Sequence, residues 1–188
     1  MLRTIRRTGF VVVAGVLLLQ TLGATLIPRL TFEQLTDTSE LVVSGQVASS
    51  YAAWDAEHKY IWTHYSLHVA SALKGKPAAV VEFAEPGGVL GGTSMMIAGA
   101  TRYSIGDDVV VFLARMPNGY LRTTGWTQGK YSIGQNGRLR AGASLGADIV
   151  SANGPATASS LQTLEGMTVI ELGQRVAARL RVAPGRVQ

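Results

Sequence analysis

Tyr60–Leu73 reads YIWTHYSLHVASAL, and its alternation decides the fold class. The odd positions, Ile61, Thr63, Tyr65, Leu67, Val69, Ser71 and Leu73, form the more apolar set. The even positions are Trp62, His64, Ser66, His68, Ala70 and Ala72. A period of two describes a strand with one face on a core and the other turned out. The odd set is therefore expected inward, with Trp62 sharing the outward face with His64. Lys74-Gly75-Lys76-Pro77 ends this strand in a turn, and Ala78–Phe83 is the next strand. Upstream, Leu41–Val47 (LVVSGQV) is a β-rich run with Leu41, Val43 and Val47 on one face, and Tyr51–Lys59 reads as a polar, aromatic loop.

The same reading extends toward the C-terminus. Glu85–Gly92 (EPGGVLGG) is expected to be a loop with special backbone needs, because four glycines and a proline fall in eight residues. Ser94–Ala98 is a candidate short strand, and Gly106-Asp107-Asp108 turns into the continuous apolar run Val109–Leu113, suited to a central strand. Asn118-Gly119 and Asn136-Gly137 are hairpin signals. They bracket strands at Tyr120–Thr124, Lys130–Ile133 and Arg138–Ala141. Six to eight short strands at this spacing predict a mostly β fold, a small barrel over residues 25–141. Thr31-Phe32-Glu33-Gln34 matches a capping box and opens a short N-terminal helix ending near Asp37. Residues 142–160, rich in Gly, Ala and Ser, read as a linker. A second capping box, Thr168 to Glu171, opens a helix to about Arg181 within a helical segment 161–182, and 183–188 is a frayed tail.

Composition narrows the function classes. The chain has no cysteine, which excludes disulfides, thiolate metal sites and cysteine catalysis. Its formal charge of +5 owes three units to Arg3, Arg6 and Arg7; without them 14 basic residues face 12 acidic ones. No basic stripe of the kind that nucleic acid requires appears elsewhere, so no nucleic-acid partner is expected. The leader itself has three parts: cationic Met1–Arg7, the 11-residue apolar run Gly9–Leu19, and small or polar residues up to Ala24. This is the layout of a secretory signal peptide over residues 1–24, with cleavage after Ala24 or Gly23. The alternative is an uncleaved membrane anchor, although the strict apolar run is shorter than the roughly 20 residues a bilayer needs. The expected location is periplasmic or extracellular.

Candidate chemistry is sparse. Gly142-Ala143-Ser144-Leu145-Gly146 fits the G-x-S-x-G nucleophile elbow. That motif needs a histidine downstream, whereas His58, His64 and His68 all precede it. His64 and His68 on one strand sit about 13 Å apart, too far to share a metal ion. Asp55, Glu57 and His58 share a loop, Asp107-Asp108 has the setting of an ordinary turn, and Glu82 and Glu85 are the other close carboxylates. No catalytic residue, metal site or cofactor is assigned. Aromatic residues lean toward binding. Tyr51, Trp54, Tyr60 and Trp62 cluster in and beside one loop, with Tyr120, Trp126 and Tyr131 later in the chain. Trp62 either serves a binding face or lies under the C-terminal helix. The candidate binding set is Tyr51, Trp54, Tyr60, Trp62, His64, Gly87, Gly88, Gly91 and Gly92.

The order of elements resembles a known family. Glu40-Leu41-Val42-Val43-Ser44-Gly45-Gln46-Val47 resembles the first strand of netrin-like domains, the OB-fold modules of tissue inhibitors of metalloproteinases. Tyr65–Val69 with Ala72-Leu73-Lys74-Gly75 resembles their second strand and its exit, and Val80–Phe83 with Tyr103–Leu113 resembles later strands. Small exported bacterial proteins share the pattern, which covers roughly residues 38–135. The resemblance implies an OB-like barrel, export and a protein-binding role. The inhibitors bind a catalytic zinc through a disulfide-tied N-terminal cysteine, and this chain has none, so no functional residue is carried over. The expected function is an exported, non-catalytic domain that binds a protein or envelope component. The alternatives are an exported enzyme with an unrecognised site and an accessory factor of a secreted metalloprotease.

Overall fold

The computed structural model describes residues 25–142, 147–150 and 164–182. The leader, the Ser144 elbow, most of the 142–160 stretch and the 183–188 tail lie outside the described residues. The chain is mostly β. Its centre is a seven-stranded antiparallel sheet. β1 is Thr25–Pro28, and helix α1, Phe32–Thr38, follows. The long strands β2 (Leu41–Trp54) and β3 (Ile61–Lys74) form a hairpin, and β4 is Val80–Pro86. β5 (Gly88–Leu90) and β6 (Thr93–Met95) make a separate small hairpin. β7 is Asp108–Arg115, β8 Leu121–Thr123, β9 Lys130–Ile133 and β10 Leu139–Ala141. β11, Ala147–Val150, pairs in parallel with β1, and helix α2 spans Val169–Val182.

The main sheet runs β10–β9–β7–β2–β3–β4, and β8 also pairs with β7. β7 takes β2 along one edge and divides its other edge between β9, at Val109–Val111, and β8, at Leu113–Arg115. The sheet carries a core on each face. Leu41, Val43, Val47, Tyr65, Leu67, Phe83, Val109, Val111, Leu113 and Leu121 pack on one side. Val42, Val110, Phe112, Tyr131 and Leu139 pack on the other with Phe32 and Leu35 of α1 and Leu172 and Val176 of α2. Strict alternation along β2 and β7 therefore fills both sides, as a strand covered on two faces requires.

The sheet is not a closed barrel. β8 reaches β4 through a side chain rather than a ladder: the Glu85 carboxylate accepts the Thr123 amide at 2.8 Å. It also pairs with Arg122 Nε at 3.3 Å, and that guanidinium stacks on Trp126 at 3.7 Å. β8 has only three residues and pairs with β7 along one edge, and no backbone ladder joins its other edge to β4 among the described residues.

Both helix starts carry the expected caps. Thr31 Oγ1 accepts the Gln34 amide while Gln34 Oε1 accepts the Thr31 amide. Thr168 and Glu171 make the same reciprocal pair. Three sequence expectations change. Tyr51–Trp54 is not loop but the end of β2, paired residue for residue with Ile61–His64. The Glu85–Gly92 stretch is partly strand, and its glycines turn β4 into the β5–β6 hairpin. Ala147–Val150, inside the stretch read as linker, is strand β11. The period of two along β3 also fails at its end. Register shifts against Val42/Val43 and Ser44/Gly45 turn Leu73 to the second core.

Candidate functional site

The outward face of β2–β3–β4 carries an open groove of about 620 Å³. The register builds it. Tyr51 pairs with His64, and His64 with Ala84, so these side chains share one face. Glu82 lies two residues from Ala84 and joins that face by the same alternation. Ala84 is buried, which makes a floor between larger side chains. The opposite wall comes from the β7–β8 turn, where Arg115, Gly119, Tyr120 and Leu121 line the groove. That turn is tight: Gly119 N donates to Met116 O at 2.9 Å, and Asn118 Oδ1 accepts the Tyr120 amide at 3.2 Å.

Aromatic rings dominate the lining. Tyr51 and His64 stack with centroids 4.8 Å apart and planes within 6°. Tyr120 meets His64 edge-on at 5.1 Å and Trp62 edge-on at 5.5 Å. Trp54 completes the outer end and stacks on His58 at 6.5 Å. Tyr51 remains 56% exposed, so one large ring face is open to a ligand. Offset and edge-on ring contacts each add about 0.5–1.5 kcal/mol beyond burial. They hold the rings in place before anything binds.

The electrostatics are lopsided. Arg115 is committed elsewhere, with Nε and Nη2 on the two Glu40 oxygens at 2.9 and 2.8 Å and Nη1 on Gly119 O at 3.0 Å. Burial holds His64 below its usual pKa, the nearby Glu82 pulling weakly the other way, so the ring is neutral near pH 7. Glu82 has no hydrogen bond or ion pair among the described residues. The groove is therefore an aromatic trough with one uncompensated negative charge.

The structure brings together Tyr51, Trp54 and His64 in the groove, with Trp62 adjoining through Tyr120. Trp62 does not lie under α2, which packs at the far end of β3, where a Cβ on Gly173 would meet Leu73 at 3.3 Å. Tyr60 sits in the hairpin loop with Lys59 Nζ 5.4 Å from its ring, outside the groove lining. The four glycines are not part of the groove. A Cβ on Gly88 would stand 2.5 Å from Thr63 Oγ1 and 3.3 Å from Ile61, residues of the inner face. Gly87 would meet Met95 O at 2.8 Å, while Gly91 and Gly92 form the open turn of the β5–β6 hairpin.

The other candidates have local explanations. Asp107 accepts the Ser104 amide and pairs with Lys130, and Asp108 accepts from Gln46. Asp55 accepts the Lys59 amide within its own turn. Glu82 faces out while Glu85 is buried under β8, so the two carboxylates do not converge. No cluster of three His, Asp or Glu with metal-binding geometry occurs among the described residues. Sequence reasoning does not place Glu82 or Tyr120 in the site. The signal it offers is the position of Tyr120 directly after an Asn-Gly turn. In comparisons with known proteins, no family model, characterised protein or solved structure matches this chain.

Proposed function

We propose that the protein is an exported, non-catalytic binding domain, that its fold is an OB-like variant of netrin-like modules, and that it takes a protein or envelope component into the aromatic groove. The groove itself carries this reading. Exposed Tyr51 and half-buried Trp54 and Tyr120 offer rigid contact area at low conformational cost, the composition of binding hot spots. The three-part leader over residues 1–24 supports export. The Glu85 bridge between β4 and β8 supports a barrel-like enclosure of the first core.

An acid and a histidine in one groove also suit an enzyme. Against this, the lining holds no Ser, Thr or Cys nucleophile, and His64 spends one ring face on Tyr51. His64 also makes no hydrogen bond that would orient it as a base, among the described residues. Affinity capture from envelope and secreted fractions with the full-length protein tests the reading. The expected result is one partner near stoichiometry, lost with Trp54→Ala and retained with Ile170→Ala, an exposed site on α2. Capture indifferent to Trp54→Ala would exclude the groove.

A further inference from the structure

The groove's charge and shape specify its occupant more narrowly; this step rests on the groove being the binding surface. We infer that the groove receives a cationic side chain, the guanidinium or ammonium of an arginine or lysine on an exposed basic segment of a partner protein. Three observations carry this. The walls are Tyr51, Trp54 and Tyr120, whose ring faces attract cations. Glu82 is the lining charge without a hydrogen-bond or ion-pair partner among the described residues, since Arg115 is paired with Glu40 and donates to Gly119 O. The ring of His64 is neutral and stacked, so it does not repel a cation. A carboxylate ligand would have to compete with Glu40 for the one guanidinium at the site and would face the Glu82 charge. A neutral sugar would use the rings and could hydrogen-bond Glu82, but would leave its charge unneutralised.

The test is an NMR titration of the full-length protein in detergent with three capped tetrapeptides: tetra-arginine, tetra-glutamate and tetra-serine. Tetra-arginine is expected to bind saturably and to shift the resonances of Trp54, His64 and Tyr120, with the other two inert. Glu82→Gln, at an exposed and unpartnered site, keeps the fold and weakens the arginine peptide about two- to fivefold. Equal binding to Glu82→Gln, equal binding of tetra-serine or tetra-glutamate, or no saturable binding of tetra-arginine up to about 10 mM would each overturn the inference. The captured partner separates the two claims. A partner lost with Trp54→Ala but kept with Glu82→Gln leaves the groove standing and removes the cation; a partner kept with both removes the groove.

Discussion

Glu85 shows how one side chain substitutes for a missing strand pair. The residue is 1% exposed, and its carboxyl holds β8 against β4. Burial raises its pKa above the usual 4.5, more than Arg122 and Thr123 lower it. The folded protein therefore binds that proton more tightly than the unfolded chain does. The sign follows: the contribution to stability is fully present below about pH 4.5 and is lost as pH rises through the raised folded value. Urea melts from pH 4 to 8 are expected to show wild type losing stability relative to Glu85→Gln as pH rises. A tenfold difference in proton affinity between the folded and unfolded chain corresponds to about 1.4 kcal/mol. The glutamine keeps an acceptor for the Thr123 amide, so it isolates the proton. A pH-independent difference, or one of opposite slope, would mean that Arg122 and Thr123 match or outweigh the effect of burial. Nothing in the local sequence marks Glu85 for this role. Its alternation with Val81 and Phe83 places it inward, but its partner lies 38 residues away.

At the scale of elements, what the sequence reveals follows the range of the interactions. Both capping boxes are local, and both helices begin where they indicate. The apolar run at Val109–Leu113 reads as a central strand because it is covered on both faces, and it is. Tyr51–Trp54 reads as loop because its side chains are only partly covered; the hydrogen-bond ladder to Ile61–His64, not burial, makes it strand. Leu73 escapes the period of two because bulges shift it, and bulges leave no mark on composition. Helix α2 is the strongest case for the second core. Leu172 and Val176 are fully buried against the same cluster as Phe32, Val110 and Phe112. Arg179 ties α2 to α1 through both Asp37 oxygens, but that exposed pair adds little. Leu172→Ala is expected to destabilise by about 2–5 kcal/mol in thermal or urea melts, while Arg179→Ala leaves the melt nearly unchanged. A reversed order would mean that α2 is held by its surface ions rather than by the core.

At the scale of the molecule, a double-sided sheet leaves an outward patch open at the hairpin end of β2 and β3. α1 and α2 protect the second core, and the β5–β6 hairpin packs near Ile61 and Thr63. At the hairpin end of β2–β3–β4 the β7–β8 turn stands over the outer face, and the groove is the gap between them; α2 covers the far end of β3. Half of the site is legible in the sequence. Tyr51, Trp54 and His64 are readable because a ring cluster around a hairpin is a local feature. Glu82 and Tyr120 are not, because only the strand order β2–β3–β4 and the reach of the β7–β8 turn bring them alongside. The glycines read as a flexible binding loop, and the structure uses Gly87 and Gly88 for positive φ and close approach at the turn out of β4. The most direct test replaces Tyr51, and separately Ile170, with a photoreactive benzophenone amino acid in the protein's own cells, followed by irradiation and mass spectrometry of adducts. The expected result is a single dominant adduct at position 51, joined to a basic segment of one protein, and none at position 170. No adduct at 51, or the same partners at both positions, would contradict it.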